Sequence, residues 1–432
     1  MPEKIVELIL IYLIFLQPMH FLYNITIYLA GLALEFLALF NKKLRYFVAG
    51  RKNVFSILSE AVNPTDKVVW IHCASLGEFE QAVPVLEEIP EIFPRHKIVV
   101  SFFSPSGYEV KKNTPLADCV VYLPLDSPAN AKKFLSVLHP DYCFFIKYEF
   151  WPNYLLELKK SKTPAFLISG VFRKNQIFFK SYGGFMRKVL GSFEHIFLQE
   201  EKSGQLLEDI GCSNYTISGD TRFDRVFKQT EMDNRLDFVE NFKDNKLCVV
   251  CGSTWPEDEA ILLQAINATG SSVKFILAPH QIDPKKIEEL RNKISKKNIL
   301  YSERKNTDLS RYDVLIIDCI GLLTRIYNYA DIAYVGGAMG TTGLHNILEA
   351  ATFGVPVIIG KNYDKFPEAR ELKEKKGLFS VSDEEELLSL LQKLIADTPF
   401  RIETGWNAEA FVRSGTGATR KIKEYFSQNK TG

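Results

Sequence analysis

From about residue 66 onward, short strand-like runs alternate with longer helix-like segments, and no other pattern in the chain restricts its fold as strongly. The runs are Val68–Cys73, Ile98–Phe103, Val120–Leu123, Tyr142–Ile146, Ala165–Ser169, His195–Leu198 and Tyr215–Ile217. Alternation of this kind predicts a mostly parallel sheet covered on both faces by helices. The series stops in a charged stretch, 220–246, that lacks strand patterning. It resumes at Leu247–Cys251, Val273–Leu277, Asn298–Tyr301, Val314–Ile317, Ile332–Val335 and Pro356–Ile359. The chain of 432 residues therefore reads as α/β, with two Rossmann-like halves of roughly 200 residues each. The expected division is an N-terminal segment 1–45, a first domain 46–228 and a second domain 229–432. Ligands in such sheets bind beyond the carboxyl ends of the strands, so the loops after the strands are the places to search.

The first 45 residues are different in kind. Ile5–Leu16 and Phe21–Phe40 are apolar runs separated by Gln17-Pro18-Met19-His20, and the second has the length of a membrane span while carrying Asn24, Thr26 and Glu35. Lys42, Lys43, Arg45, Arg51 and Lys52 follow with no acidic residue among them. A basic cluster beside an apolar helix favours the cytoplasmic side and contact with anionic lipid. The expectation is a membrane-attachment helix, spanning or lying in the interface; a buried hairpin of the first domain is the alternative. The net charge of +1 gives no argument for nucleic-acid binding. Seven cysteines, scattered through apolar runs, suit buried thiols in a reducing compartment. Cys248 and Cys251 lie three apart on one predicted strand and so point to opposite faces.

Several loops carry chemistry. Ala74-Ser75-Leu76-Gly77-Glu78 follows the first strand and places an acid at a helix start, where Ser75-x-x-Glu78 is equally a capping box. Lys147-Tyr148-Glu149-Phe150-Trp151-Pro152-Asn153 follows the fourth; it is either a binding loop or an aromatic packing corner with Glu149 paired structurally. In the second half, Gly252-Ser253-Thr254 precedes the acidic run Glu257-Asp258-Glu259, and Ala278-Pro279-His280-Gln281 again follows a strand directly. Small residues at such a helix start let backbone N–H groups approach a phosphate. Gly336-Gly337 ends another strand, and a helix is expected from near Gly343, with Glu349 two turns into it and able to accept hydrogen bonds from ribose hydroxyls. Together these loops point to nucleotide binding in the second half.

At these residues the sequence resembles the Kdo (3-deoxy-D-manno-octulosonic acid) transferases, which are GT-B glycosyltransferases. The resemblance rests on ASLGE (74–78), EFWPN (149–153), SGDTRFD (218–224), GST (252–254), the proline loop at 279–281, and GGAM…GLHNILEAA…GVPV (336–357), in that order and spacing. It implies two Rossmann-like domains facing a cleft, with Glu78 as general base. It also implies a CMP-sugar site that includes Ser253, Thr254, Pro279, His280, Ile320, Gly321, Leu322, Gly336 and Gly337, together with the stretch Asn346, Ile347, Leu348 and Glu349. This chain departs from the family where His280 and Gln281 replace Arg-His, where Leu322 replaces Glu, and where Lys147 stands for an acid found in many members.

The implied reaction is inverting transfer of Kdo from CMP-Kdo to a lipid A precursor, at the cytoplasmic face of the bacterial inner membrane, with no cofactor and no metal. Glu78 is expected to be mostly ionised at neutral pH. The phosphorylated acceptor calls for a basic surface near the membrane. Phe172–Leu190 supplies Arg173, Lys174, Lys180, Arg187 and Lys188 among Phe178, Phe179, Tyr182 and Phe185, a pattern an amphipathic surface helix also gives. Arg173, Lys174, Lys180 and Glu149 are the acceptor-side candidates. One rival is another GT-B enzyme that uses a UDP-sugar, transferase or epimerase. Retaining members often place two acids eight residues apart, whereas Glu349 is followed at that distance by Val357. The other rival is a membrane-tethered protein that binds a nucleotide sugar without turnover.

Overall fold

A computed structural model describes residues 2–429, with the backbone alone for residues 2–18 and 43. The chain forms two compact units. The first comprises residues 1–225 and 417–432, the second 226–416.

In the first unit seven parallel strands, β1 (Lys67–Cys73), β2 (His96–Phe102), β3 (Cys119–Tyr122), β4 (Tyr142–Ile146), β5 (Ala165–Gly170), β6 (His195–Leu198) and β7 (Tyr215–Ile217), take the order β3-β2-β1-β4-β5-β6-β7. The central residues of β1 to β6 are buried on both faces, which is why they read as continuous apolar runs; the edge strand β7 is only partly buried. The second unit repeats the architecture with β8 (Leu247–Thr254), β9 (Val273–Pro279), β10 (Asn298–Leu300), β11 (Val314–Ile316), β12 (Ile332–Val335), β13 (Val357–Ile359) and β14 (Leu378–Ser380), in the order β10-β11-β9-β8-β12-β13-β14. The strand order reverses between β1 and β4 in one sheet and between β8 and β12 in the other. Those are the crevices where a doubly wound sheet binds ligands; the loops at 74–78, 147–153, 252–254 and 336–337 leave these four strands, while the proline loop at 279–281 leaves β9 and 320–322 follows β11.

Local chemistry sets many helix starts. Ser104-Pro105, Ser127-Pro128 and Asp283-Pro284 each pair a capping side chain with a proline at the first helical position, and each cap accepts a backbone N–H from the first turn.

Helix α1 (Pro2–Ala38) is continuous through Pro18, where the sequence reading divided it; apolar membrane-type helices tolerate such prolines. Among the described residues, Met19–Ala38 is the one stretch long and apolar enough to cross a membrane. Its outward side exposes Phe21, Leu22, Tyr28, Leu29, Leu32 and Phe36. Two of the five basic residues that follow are occupied within the fold. Arg45 donates to the carbonyls of Ala38 and Leu39, at the end of α1. Arg51 donates to those of Phe47, Phe103 and Leu123, and burial holds its pKa down at about 10.

The expected domain limits differ from the structure in one important respect. Helix Ala418–Asn429 belongs to the first unit, not to a domain 229–432, and the first break lies after Arg225. Ile422 and Phe426, one turn apart, pack on Phe93, Phe144, Phe166 and Phe197. Asp224 fixes its start, accepting from Gly417 N (2.5 Å), Thr419 N (2.7 Å) and Thr419 Oγ1 (2.8 Å). Asp224→Ala leaves these donors without their acceptor and is expected to cost about 1–3 kcal/mol. Limited proteolysis checks this: cleavage should appear near residues 414–417 in the variant and not in the native chain.

Candidate active site

The first unit supplies a carboxylate with one oxygen held and one available. Ser75 caps α2 (Leu76–Ile92), and Glu78 sits in its first turn. Glu78 Oε2 accepts from Ser75 N (2.8 Å) and Ser75 Oγ (3.2 Å), while Oε1 accepts no hydrogen bond among the described residues. The capping-box reading and the base reading are therefore both accommodated, one on each oxygen. Burial, and after it the negative charge of Glu149, push the Glu78 carboxyl up to about 7, against the opposing pull of Ser75 and Lys147. This corrects the expectation of a mostly ionised group: helix-start stabilisation is outweighed by desolvation and a like charge. At pH 7 about half the population is ionised, which suits proton abstraction near neutrality.

Behind Glu78 runs a buried polar chain. The register places His72 of β1 beside Phe145 of β4. Ser101 Oγ lies 2.8 Å from His72 Nδ1 and accepts from Trp70 Nε1 at 2.8 Å. His72 Nε2 is 3.2 Å from Glu149 Oε2, which also accepts from Trp151 Nε1 at 2.6 Å. Glu149, 8% exposed, is thus an internal group of the site and not an acceptor contact on the surface. His72, Ser101 and Trp151 were missed as a set. His72 alone carried a signal, as a polar residue inside the apolar run Val68–Cys73.

The basic segment 172–190 is not one amphipathic helix. It contains a short turn, Ile177–Phe179, and the helix Gly184–Leu190. Phe172, Phe178 and Phe185 are core residues beneath it. Arg187 is committed to the carbonyls of Phe178 and Lys180. Arg173 and Lys174 are exposed, Arg173 Nη2 donates to Tyr148 Oη at 3.2 Å, and Lys180 is half-buried. The segment SGDTRFD serves the scaffold: Asp220 accepts from Gln81 of α2 and from Arg222, and Thr221 Oγ1 donates to Gln81 O.

In the second unit the loops after β8 and β12 are tied together by Asp258, which is fully buried. Its Oδ2 accepts from Trp255 N (2.9 Å) and Gly337 N (2.8 Å), and its Oδ1 accepts from Tyr334 Oη (2.8 Å). A Cβ at Gly336 would lie 2.4 Å from Ser253 O, and Gly337 adopts a left-handed φ of +97°, so both glycines are required by the turn. Thr254 Oγ1 donates to Glu259. Three rings stack where β8 and β9 end. Trp255 lies 4.7 Å from His280 and donates through Nε1 to His345 Nε2 at 2.9 Å, and the two imidazoles are 4.4 Å apart. Burial, then the neighbouring His280, hold His345 down at about 4, and burial lowers His280 as well. His280 thus presents a neutral imidazole, and Pro279 before it has no N–H to donate. Trp255 and His345 had not been assigned a role.

The helix expected from Gly343 begins only at Leu348 and ends at Ala351, so Glu349 lies in its first turn and not two turns in. Gly343 is left-handed at +99°, which bars a helical start there. Asn346 supplies the cap, accepting from Leu348 N and donating to Glu349 Oε1, while Thr324 donates to Glu349 Oε2. The side chains of Ile347 and Leu348 are core, leaving Asn346 and Glu349 for a ligand. Ile320, Gly321 and Leu322 form a separate loop after β11, with Ile320 90% exposed and Gly321 at φ +94°.

Residues 49–225 match the family model for 3-deoxy-D-manno-octulosonic-acid transferase (kdotransferase). The 3-deoxy-D-manno-octulosonic acid transferase of Aquifex aeolicus is 28% identical over 78% of this chain and 88% of its own length. That of Chlamydia trachomatis serovar A is 28% identical over 87% of each chain. In solved structures, UDP-GlcNAc 2-epimerase from Neisseria meningitidis, bound to UDP-GlcNAc, superposes with a TM-score of 0.60 at 15% identity, covering 84% of this chain and all of that one. This last likeness is one of fold.

Proposed function

We propose that the chain is a Kdo transferase of lipopolysaccharide biosynthesis, and that it moves Kdo from CMP-Kdo to a lipid A precursor with inversion at the anomeric carbon. The observation that carries the proposal is Glu78: a carboxylate at a helix start beside the strand-order reversal, poised near neutrality and with Oε1 available. Glu78 removes the proton from the acceptor's sugar hydroxyl as that oxygen attacks the anomeric carbon. The bond from that carbon to the CMP phosphate breaks, and CMP leaves with the electron pair. Backbone N–H groups at Ser253–Thr254 stabilise the phosphate, helped by the neutral His280, while Gly336 and Gly337, whose own N–H groups are bonded to Gly252 O and Asp258, hold the turn beside them. Asn346 and Glu349 take the ribose. Arg173, Lys174 and Lys180 meet the acceptor's phosphates. The apolar ridge of α1 holds the enzyme on the cytoplasmic face of the membrane.

The test is product formation by the full-length protein in detergent with CMP-Kdo, tetraacylated lipid A precursor and EDTA, alongside Glu78→Ala. Product from the native chain and not from the variant is the expected result. No product from the native chain would overturn the assignment and direct the search to UDP-sugars. Nucleotide-sugar binding without turnover, indifferent to Glu78, would indicate a sensor.

A further inference from the structure

Helix α1 presents two unlike sides. The outward one is the apolar ridge already described. The inward one repeats at helical spacing, through His20, Tyr23, Asn24, Ile27, Gly31, Leu34 and Ala38, all at least partly buried. Gly31 allows close approach, since a Cβ there would reach Leu125 at 3.3 Å. The polar residues of this side converge on one point of the catalytic scaffold. Tyr23 Oη donates to Asp126 Oδ2 at 2.7 Å, His20 Nε2 lies 2.8 Å from Asn153 Oδ1, and Asn153 Nδ2 donates to Asn24 Oδ1 at 2.9 Å. His20 also stacks on Phe185 at 5.2 Å.

Asp126 is fully buried and is the junction. Besides Tyr23 it accepts from Asn153 N and Tyr154 N, both at 3.1 Å, and so caps the helix Pro152–Ser161. Trp151 immediately precedes that helix. It packs against Phe103 at 4.7 Å and His72 at 5.6 Å, and its Nε1 holds Glu149, whose charge acts on Glu78. Polar side chains are costly in an apolar helix, and a helix serving only as an anchor has no need of three directed at one junction, the bonded pair Asp126 and Asn153.

We propose that His20, Tyr23 and Asn24 are positioning residues for the catalytic carboxylate, acting through Asp126 and Asn153 on the Trp151–Glu149 pair. The inference rests on Glu78 being the base. Membrane attachment and active-site geometry then depend on opposite sides of the same helix.

The experiment uses the full-length protein in detergent micelles, where anchoring to a bilayer is irrelevant. Tyr23→Phe, which keeps the ring and removes only the hydroxyl, is compared with His20→Ala/Asn24→Ala and with Leu29→Ser/Leu32→Ser on the ridge. Loosening the loop is expected to lower kcat roughly 10- to 100-fold in the double inward variant, and less in Tyr23→Phe. KM for CMP-Kdo should stay within about twofold. Relaxation of Glu149 against Glu78, with Lys147 as the opposing charge, should move the acid limb of the pH profile below 7. Amide exchange across 149–155 should quicken, and flotation with anionic vesicles should be unchanged. The ridge variant should show the reverse: weaker flotation with native kcat. Native kcat and native exchange in the inward variants, or equal kcat losses in inward and ridge variants, would overturn the proposal. If the native chain itself forms no product, the transferase reading fails, and the exchange measurements still decide whether the loop depends on α1.

Discussion

Glu78→Gln is expected to lower kcat by about 10²- to 10⁴-fold, the range for loss of a general base, while CMP affinity stays native and the protein melts no lower than the native chain at pH 8. The stability side follows from proton linkage. The Glu78 carboxyl sits near 7 in the folded chain, above its ordinary 4.5, so across that interval the folded state holds a proton that the unfolded state has released. Stability against unfolding therefore falls as pH rises from 4.5 to 7, and above 7 the fold carries an ionised group it disfavours. Gln keeps an oxygen for Ser75 N and brings no charge. At pH 8 its gain should be on the order of 1 kcal/mol, seen as about 2–4 °C in melting temperature. In the native enzyme the single-turnover rate should rise about tenfold per pH unit up to 7 and level above it, because only the ionised form accepts the proton. A variant that melts well below the native protein would mean that Glu78 serves chiefly as a cap. A rate flat from pH 5.5 to 8.5 would remove it as the base.

Asp258→Ala should be the most damaging single change in the second unit. It strands the N–H of Trp255, the N–H of Gly337 and the hydroxyl of Tyr334 in the interior, at a cost on the order of 3–5 kcal/mol. For a unit of this size that corresponds to roughly 10 °C. The paired-glycine turn loses the bond that fixes Gly337 N, so CMP binding should weaken by at least about tenfold even where the unit remains folded. Calorimetry with and without CMP measures both. Retained CMP affinity would show that the turn is held without Asp258.

Glu78 and Asp258 occupy the same place in their units, in the first turn of the helix that follows the first strand, each bonded to the N–H of the capping residue. Sequence spacing marks Glu78 as a helix-start acid but gives Asp258 only as one of the run Glu257-Asp258-Glu259. The difference lies in what else reaches each carboxylate, and partners such as Tyr334 are 76 residues away. The strands were legible because a buried parallel strand must be apolar throughout. Leu378–Ser380 escaped because only Gly377 separates it from the charged stretch 373–376 and it ends in Ser380, so it presents no distinct apolar run. The expected helix at Gly343 failed on one backbone angle that composition does not report. Asn24 looked like an impurity in an apolar run because its partner, Asn153, lies 129 positions on.

The return of the last helix to the first sheet imposes an order on synthesis. Ile422 and Phe426 cover Phe93, Phe144, Phe166 and Phe197, yet they emerge from the ribosome only after residues 226–416 have been made. At about 5–20 residues per second that is a delay of roughly 10–40 s. Throughout it the first unit displays an uncovered aromatic surface while its amino-terminal helix is already available to the membrane, so the nascent protein needs shielding by a chaperone or by the bilayer.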